Sequence, residues 1–181
     1  MELSERLTAG RVRRCRRYRH AAELACAGTA CEPELLLGIY LIESCYRPLP
    51  LRVAEYAAVG VLGLWSLITG RTLRNFTIGP CQLGLSAFLS DIFTEEAMHV
   101  RTVRLNTVSD FLCIFTAMSR SKSFCLLARR LHAASREARA RWPERRRLRC
   151  RHVGQTFGGR YTYGLMLEYA VNAMTALEET Y

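Results

Sequence analysis

The chain has almost no lysine, no long apolar run and no recognisable leader segment. Of its 26 basic residues, all but Lys122 are arginine. The best transmembrane candidate, residues 56–68, contains glycine and is shorter than the roughly 18 apolar residues that a membrane span needs. We therefore expect a buried core helix there and no transmembrane segment. The basic N-terminus is not followed by the apolar stretch of a signal peptide, which predicts synthesis in the cytoplasm without conventional export.

Motifs for binding metals and nucleotides are also missing. The eight cysteines contain no Cys-x2-Cys pair and the four histidines have no ligand spacing, so we predict no metal site and no cofactor. No glycine-rich loop leads into a Lys-Ser/Thr pair, which argues against nucleotide hydrolysis. Without a secretory context we expect reduced thiols, with Cys113 and Cys125 as small core residues. A Cys/His nucleophile pair, such as Cys45 with His99 or His152, stays open.

Positive charge is concentrated in two segments. Seven arginines and no acid lie between residues 6 and 19, and ten arginines with two acids lie in residues 129–151, here called the Arg-rich segment. These segments carry +7 and +8 (10 − 2) in a chain whose net charge is +10, so the remainder is mildly acidic. They favour an anionic polymer or a membrane surface as partner, unless they simply form a solvated face. Nucleic acid is less favoured, because only Tyr18 and Trp142 interleave with the arginines.

Length and periodicity predict one mainly α domain, α+β at most. The 181 residues suit a single domain. Glycine, proline and β-branched residues at 70–85 predict a small irregular β or loop element. The predicted parts are a basic N-terminal arm with a short helix at 1–31, a helical domain at 32–181, an inserted helix at 51–69, a helix from Ser121 to about Arg141, a crossing at 144–151, a glycine-rich stretch at 153–164 and a last helix from Tyr163 or Gly164.

Glu43 follows an apolar helical run at residues 35–42, just before a pair of prolines breaks the helix. A carboxyl in such a place can be partly desolvated, which disfavours its charged form. A carboxyl that stays protonated near neutral pH can donate its proton to a glycosidic oxygen. The competing interpretation is an ion pair between Glu43 and Arg47 or Arg52.

Three separated segments resemble the soluble lytic transglycosylase and goose-type lysozyme family. They are residues 39–48 (IYLIESCYRP), 76–86 (FTIGPCQLGLS) and 153–164 (VGQTFGGRYTYG). In that family a helix ends in Glu-Ser followed by an aromatic residue, a Gly-x-x-Gln segment comes next, and a Tyr-Asn-Gly-like turn lies near the C-terminus. The resemblance covers about residues 33–177 in the family's order and implies a lysozyme-like transglycosylase domain at 32–181.

The resemblance implies that Glu43 is the catalytic acid/base that cleaves the β-1,4 bond between N-acetylmuramic acid and N-acetylglucosamine in peptidoglycan. This chain departs from the pattern at Phe157, which lacks the expected tyrosine hydroxyl, and at Gly158, which replaces asparagine. Tyr161 or Tyr163 is the candidate for the missing hydroxyl. By position, the implied substrate-binding residues are Ser44, Tyr46, Gly79, Gln82, Phe157, Gly158, Gly159, Tyr161 and Tyr163.

In the family's transglycosylase reaction the acid/base protonates the leaving oxygen and then accepts the proton of the muramic acid C6 hydroxyl, which closes a 1,6-anhydro ring. A muramidase would need a second carboxylate. Glu55 is the only nearby candidate. Asp91 and Glu95 are further ones, but we expect them on the exposed face of a helix. Because a partner carboxylate is poorly supported, a lytic transglycosylase is favoured over a muramidase. Two non-enzymatic hypotheses stay open, a polyanion-binding module on the same scaffold and an inactive partner-binding relative. Access to the cell wall would need unconventional export or lysis.

Overall fold

The computed structural model describes residues 3–47, 49–89, 100–116 and 119–176. The chain divides into two compact units. The first unit combines Met1–Tyr46 with Leu127–Tyr181, and the second is Arg47–Leu126. The predicted boundary between residues 31 and 32 falls inside the first unit.

The prediction of a mainly α fold with a small β element is confirmed. Within the described ranges, helices hold most residues and each strand is two residues long. The helices are α1 (Leu3–Arg6), α2 (Ala9–Arg16), α3 (Arg19–Cys26), α4 (Pro33–Tyr46), α5 (Leu49–Thr69), α6 (Ser86–Leu89), α7 (Val108–Thr116), α8 (Arg120–Arg141), α9 (Arg146–Gly158) and α10 (Tyr161–Ala176), and the strands are β1 (Leu73–Arg74), β2 (Thr77–Ile78), β3 (Leu83–Gly84) and β4 (Thr102–Val103).

The first unit is built around α4. Every residue from Leu35 to Ile42 is buried, because α2, α3, α9 and α10 pack around this helix. Proline at its first position costs no hydrogen bond, since that N–H lacks a helical partner in any case. The side chains of Arg6 and Arg11 donate to the carbonyl oxygen of Cys45 in its last turn, both at 3.4 Å. Cations placed there complement the negative end of the helix dipole.

The N-terminal segment is more ordered than an arm or a frayed helix. Residues 3–26 form α1, α2 and α3, and buried side chains such as Val12, Cys15 and Ala22 join the core of the first unit. The basic residues of α2 lie between these apolar positions. The sequence does not indicate this arrangement, because the apolar residues of this segment are few and most of them are small.

The predicted crossing at 144–151 and non-helical stretch at 153–164 are wrong over most of their length. Helix α9 runs from Arg146 to Gly158 and buries Cys150, Val153 and Gly154 along one face. Gly159 ends it with a left-handed φ of 68°, and its N–H donates to the Gln155 carbonyl at 2.8 Å. Three buried positions at helical spacing outweigh the low helix propensity of the glycines.

The second unit contains α5, α6, α7 and two small antiparallel sheets. Leu73 pairs with Val103 across β1 and β4, and Thr77 pairs with Gly84 across β2 and β3. Helix α5 lies where the inserted helix at 51–69 is predicted. The prediction of a buried core helix is wrong, since only Val59, Gly63 and Ser66 are buried in α5.

The cysteines differ sharply in exposure. All eight are free thiols, six are buried, Cys113 is half-buried and Cys125 is exposed, so the prediction that Cys113 and Cys125 are core residues is wrong. Burial, reinforced by the neighbouring Cys45 thiol, raises the pKa of Cys15 to about 12. An ordinary thiol has a pKa of about 8.5.

We expect iodoacetamide at pH 8 to alkylate Cys125 in the native protein and to spare Cys15. The reactive species is the thiolate, and a pKa of about 12 leaves only about one Cys15 thiol in ten thousand ionised at that pH. Peptide mapping by mass spectrometry checks this, with denatured protein as the control in which both thiols react. Equal labelling of the two thiols in the native protein would contradict the burial of Cys15.

Candidate active site

Glu43 lies in the last turn of α4 and its side chain is half-buried. The neighbours Leu41, Ile42 and Cys45 are buried, so the carboxyl sits at the edge of the apolar core of the first unit. An acidic residue at this place has one side against protein and another toward solvent. That environment suits a group that must exchange a proton with a ligand.

Tyr163 holds the Glu43 carboxyl. It lies in the first turn of α10, and its hydroxyl donates to Glu43 Oε1 at 2.8 Å. This contact joins the first and third of the family-like segments. Of the two tyrosines predicted to supply a hydroxyl, Tyr163 contacts Glu43, whereas Tyr161 is exposed and contacts Arg151.

Packing fixes the Tyr163 ring in turn. The Phe157 ring lies 5.5 Å away at an interplanar angle of 53°. A Cβ added at Gly158 would lie only 2.4 Å from Tyr163 Cγ, so glycine is needed for the ring to reach this position. The side of Gly158 that was expected to admit a sugar is therefore filled by Tyr163. The space beside Gly159 is open, and its predicted approach to a sugar stays a prediction.

Arg130 completes this stack. Its guanidinium lies 4.6 Å above the centre of the Phe157 ring and donates to the Phe157 carbonyl at 3.4 Å. Burial lowers the pKa of Arg130 below its ordinary value, and the nearby Tyr163 phenol partly opposes this. Arg130 is absent from the predicted site, because in the sequence it is one arginine of a charged run. Its spacing from the buried residues Leu127 and Ala134 on α8 is the signal that could have found it.

Ser44 and Tyr46, predicted to bind substrate, have contacts within the first unit. The Ser44 hydroxyl donates to the Leu41 carbonyl of its own helix at 2.7 Å. The Tyr46 hydroxyl lies 3.5 Å from Met166 Sδ, and the Arg6 guanidinium lies 4.7 Å above the Tyr46 ring. These contacts hold the end of α4 that carries Glu43.

Gly79 and Gln82 belong to the second unit, in the turn between β2 and β3. The amide group of Gln82 donates to the Gly79 carbonyl at 3.1 Å and accepts from the Thr77 hydroxyl at 3.1 Å. Gly79 has a φ of 84° and Gln82 a φ of 52°, and the left-handed region is uncommon for a side chain such as glutamine. The buried Gln82 side chain thus stabilises a strained turn.

Glu55, the candidate second carboxylate, lies on α5 in the second unit and forms an ion pair with Arg47. Asp91 and Glu95 lie outside the described residues. For the Cys/His hypothesis, Cys45 Sγ lies 3.8 Å from the Arg6 carbonyl, while the His152 ring packs on Trp142. His99 lies outside the described residues.

Two glutamates neutralise part of the Arg-rich segment. Glu32 pairs with Arg149 at 3.0 Å and with Arg139 at 3.7 Å. Glu168 pairs with Arg151 and Arg147. These arginines tie α8 and α9 to α10 and to the start of α4, so part of the segment has a structural role. In the described ranges no three His, Cys, Asp or Glu side chains form a cluster suited to a metal ion.

The site residues in the first unit therefore form one connected group, from Arg130 through Phe157 and Tyr163 to Glu43. A half-buried carboxyl with an oriented phenol can accept, hold and donate a proton. Comparisons with known proteins add no relatives: no family model, no curated protein and no solved structure matches this chain.

Proposed function

We propose that this protein cleaves the β-1,4 glycosidic bond between N-acetylmuramic acid and N-acetylglucosamine in peptidoglycan, as a lytic transglycosylase with Glu43 as its acid/base. The observation that carries the proposal is the 2.8 Å hydrogen bond from Tyr163 to Glu43. It brings the first and third family-like segments to one carboxyl, and it supplies the hydroxyl that Phe157 lacks.

Glu43 acts twice in the proposed reaction. The protonated carboxyl first gives its proton to the glycosidic oxygen, and the bond from that oxygen to the muramic acid C1 breaks. The carboxylate then takes the proton of the C6 hydroxyl as the C6 oxygen bonds to C1. The proton that Glu43 gave is thereby replaced, no water is consumed, and the product carries a 1,6-anhydro ring.

Tyr163 positions the carboxyl through both steps. Its hydroxyl donates to Oε1 and so restrains the orientation of the carboxyl. A hydrogen bond to a charged acceptor is roughly twice as strong as one between neutral groups, so the contact tightens when Glu43 becomes a carboxylate.

The ion pair of Glu55 favours the transglycosylase over the muramidase. A hydrolase needs a second carboxylate, either to attack the sugar or to activate a water. Glu55 already forms an ion pair with the Arg47 guanidinium, which engages the carboxylate that a hydrolase would use. An intramolecular reaction has no need of that second group.

The products distinguish the three candidate functions. Purified protein is incubated with peptidoglycan sacculi, and the released muropeptides are analysed by mass spectrometry. The proposal expects 1,6-anhydro ends. Reducing ends would indicate a muramidase, and an absence of released products would contradict an enzymatic role and favour a binding module.

Replacing Tyr163 by phenylalanine is expected to slow cleavage about fivefold, because a hydrogen bond of roughly 1 kcal/mol to the catalytic carboxyl is lost. The ring that packs on Phe157 and Gly158 is retained. Rates of muropeptide release against pH measure the effect. Tyr169→Phe, an exposed position on the same helix, is the matched control and should leave the rate unchanged. A wild-type rate and pH profile in Tyr163→Phe would contradict the positioning role.

A further inference from the structure

Helix α5 leaves an uncharged apolar face exposed. Val61, Leu64, Trp65 and Ile68 share one side of the helix at helical spacing and are between 48% and 72% exposed. The opposite side, with Val59, Gly63 and Ser66, is buried. The helix therefore packs on its own unit through a narrow stripe and presents its larger side chains outward. Singly exposed apolar residues are ordinary, but a row of them on one helix face is typical of an interaction site.

A neighbouring helix packs on the buried side of α5. A Cβ added at Gly63 would meet Ile114 at 2.8 Å and Phe111 at 3.2 Å, so α7 packs closely on α5 at this glycine. The residues of α7 that point away from this contact include three further exposed apolar side chains, Val108, Leu112 and Phe115. Two packed helices of the second unit thus both carry large apolar side chains that are exposed.

Composition and charge match α5 to a lipid surface. At about 1.5 Å per residue, its 21 residues extend for about 31 Å. In the described part of the chain it is the one single helix long and apolar enough to cross a membrane. No charged residue occurs from 56 to 70, and the exposed Arg71 and Arg74 follow this stretch. Exposed arginines at this end of α5 complement anionic headgroups.

We propose that α5 docks the protein on an anionic lipid bilayer and lies in the plane of its interface. A spanning arrangement is disfavoured because β1, β2 and α7 pack against the helix, and irregular backbone exposed to hydrocarbon has unsatisfied hydrogen-bonding groups. An in-plane helix needs only one face immersed, by about 5–10 Å. The exposed stripe of Val61, Leu64, Trp65 and Ile68 is made of apolar side chains, which favours lipid over a protein partner, since protein interfaces carry a hydrogen bond every 100–200 Å² or so.

The proposal is independent of the role of Glu43 and also differs from docking through the arginine segments. Val61→Ser combined with Ile68→Ser tests it, because both side chains are exposed and their replacement leaves the packed stripe intact. Leu24→Ser is the matched control, because Leu24 is 64% exposed on α3 in the first unit.

The experiment measures flotation of the 181-residue chain with vesicles of equimolar phosphatidylglycerol and phosphatidylcholine. We expect wild type and Leu24→Ser to float and the double variant to bind at least about tenfold more weakly, since apolar contact sets the affinity of such helices. In a chain carrying Trp142→Phe, Trp65 is the single indole, and its emission should shift to shorter wavelength on binding.

Three results would overturn the proposal. The first is a lack of flotation by the wild-type chain at low salt. The second is equal binding by the double variant that is lost at high salt, which would assign the docking to arginines. The third is a wild-type dimer, without vesicle binding, that the double variant converts to a monomer, which would show that a second copy covers this face. A thermal melt of the double variant confirms that it is folded.

Discussion

Replacing Glu43 by glutamine is expected to slow peptidoglycan cleavage at least about 100-fold, the lower end of what a general acid/base contributes. Glutamine has the same shape, and its amide oxygen can still accept the hydrogen bond from Tyr163. It cannot give a proton to the glycosidic oxygen or take one from the C6 hydroxyl. The loss should therefore appear in the rate of the reaction and not in the stability of the fold.

The measurement compares initial rates of muropeptide release for wild type, Glu43→Gln and Glu23→Gln. Glu23 forms an exposed pair with Arg19 on α3, and such surface pairs contribute little to stability. It therefore controls for the removal of one negative charge. A Glu43→Gln rate within about threefold of wild type, with the melting temperature unchanged, would remove Glu43 from the mechanism.

Replacing Gly164 by alanine is expected to destabilise the protein by about 2–3 kcal/mol, because the extra methyl group does not fit between two helices. A Cβ at Gly164 would lie 2.4 Å from the Arg151 carbonyl oxygen on α9. Gly154 lies at the same contact, since a Cβ there would meet Gly164 Cα at 2.8 Å. Both neighbours are backbone, so α9 and α10 must move apart. Alanine's higher helix propensity returns only about 1 kcal/mol.

Denaturant unfolding measures this effect, with Gly60→Ala as the matched control. Gly60 lies within α5 with no atom near its missing Cβ, so alanine there should stabilise the helix by up to about 1 kcal/mol. The two substitutions thus have opposite expected signs. Gly164→Ala should also lower activity, because α10 carries Tyr163 to Glu43. Equal or higher stability of Gly164→Ala relative to Gly60→Ala would contradict the close helix contact.

The sequence predicts where helices lie better than it predicts which of their faces are buried. Apolar spacing and the flanking prolines place α4 and put Glu43 near its end. The same apolar composition fits a core helix and an exposed apolar helix equally well, so it could not reveal that α5 is exposed. Helix α9 is not predicted because its arginines and glycines mask three buried positions.

The sequence also does not predict which distant residues meet at the candidate site. Tyr163 is one of two candidates for a hydroxyl near Glu43, but 120 residues separate the pair and only the packing of α10 on α4 selects it. Within its run of charge, Arg130 is distinguished only by its helical spacing from the apolar residues Leu127 and Ala134. Its guanidinium gains its position from Phe157, a residue at which the chain departs from the family pattern.

Cleavage in water enriched in ¹⁸O tests the central claim most directly. If Glu43 accepts the proton of the C6 hydroxyl and no water reacts, the wild-type protein will release anhydro muropeptides that carry no ¹⁸O at C1. Products with one ¹⁸O at a reducing C1 would show that water is the nucleophile and would contradict the proposed mechanism.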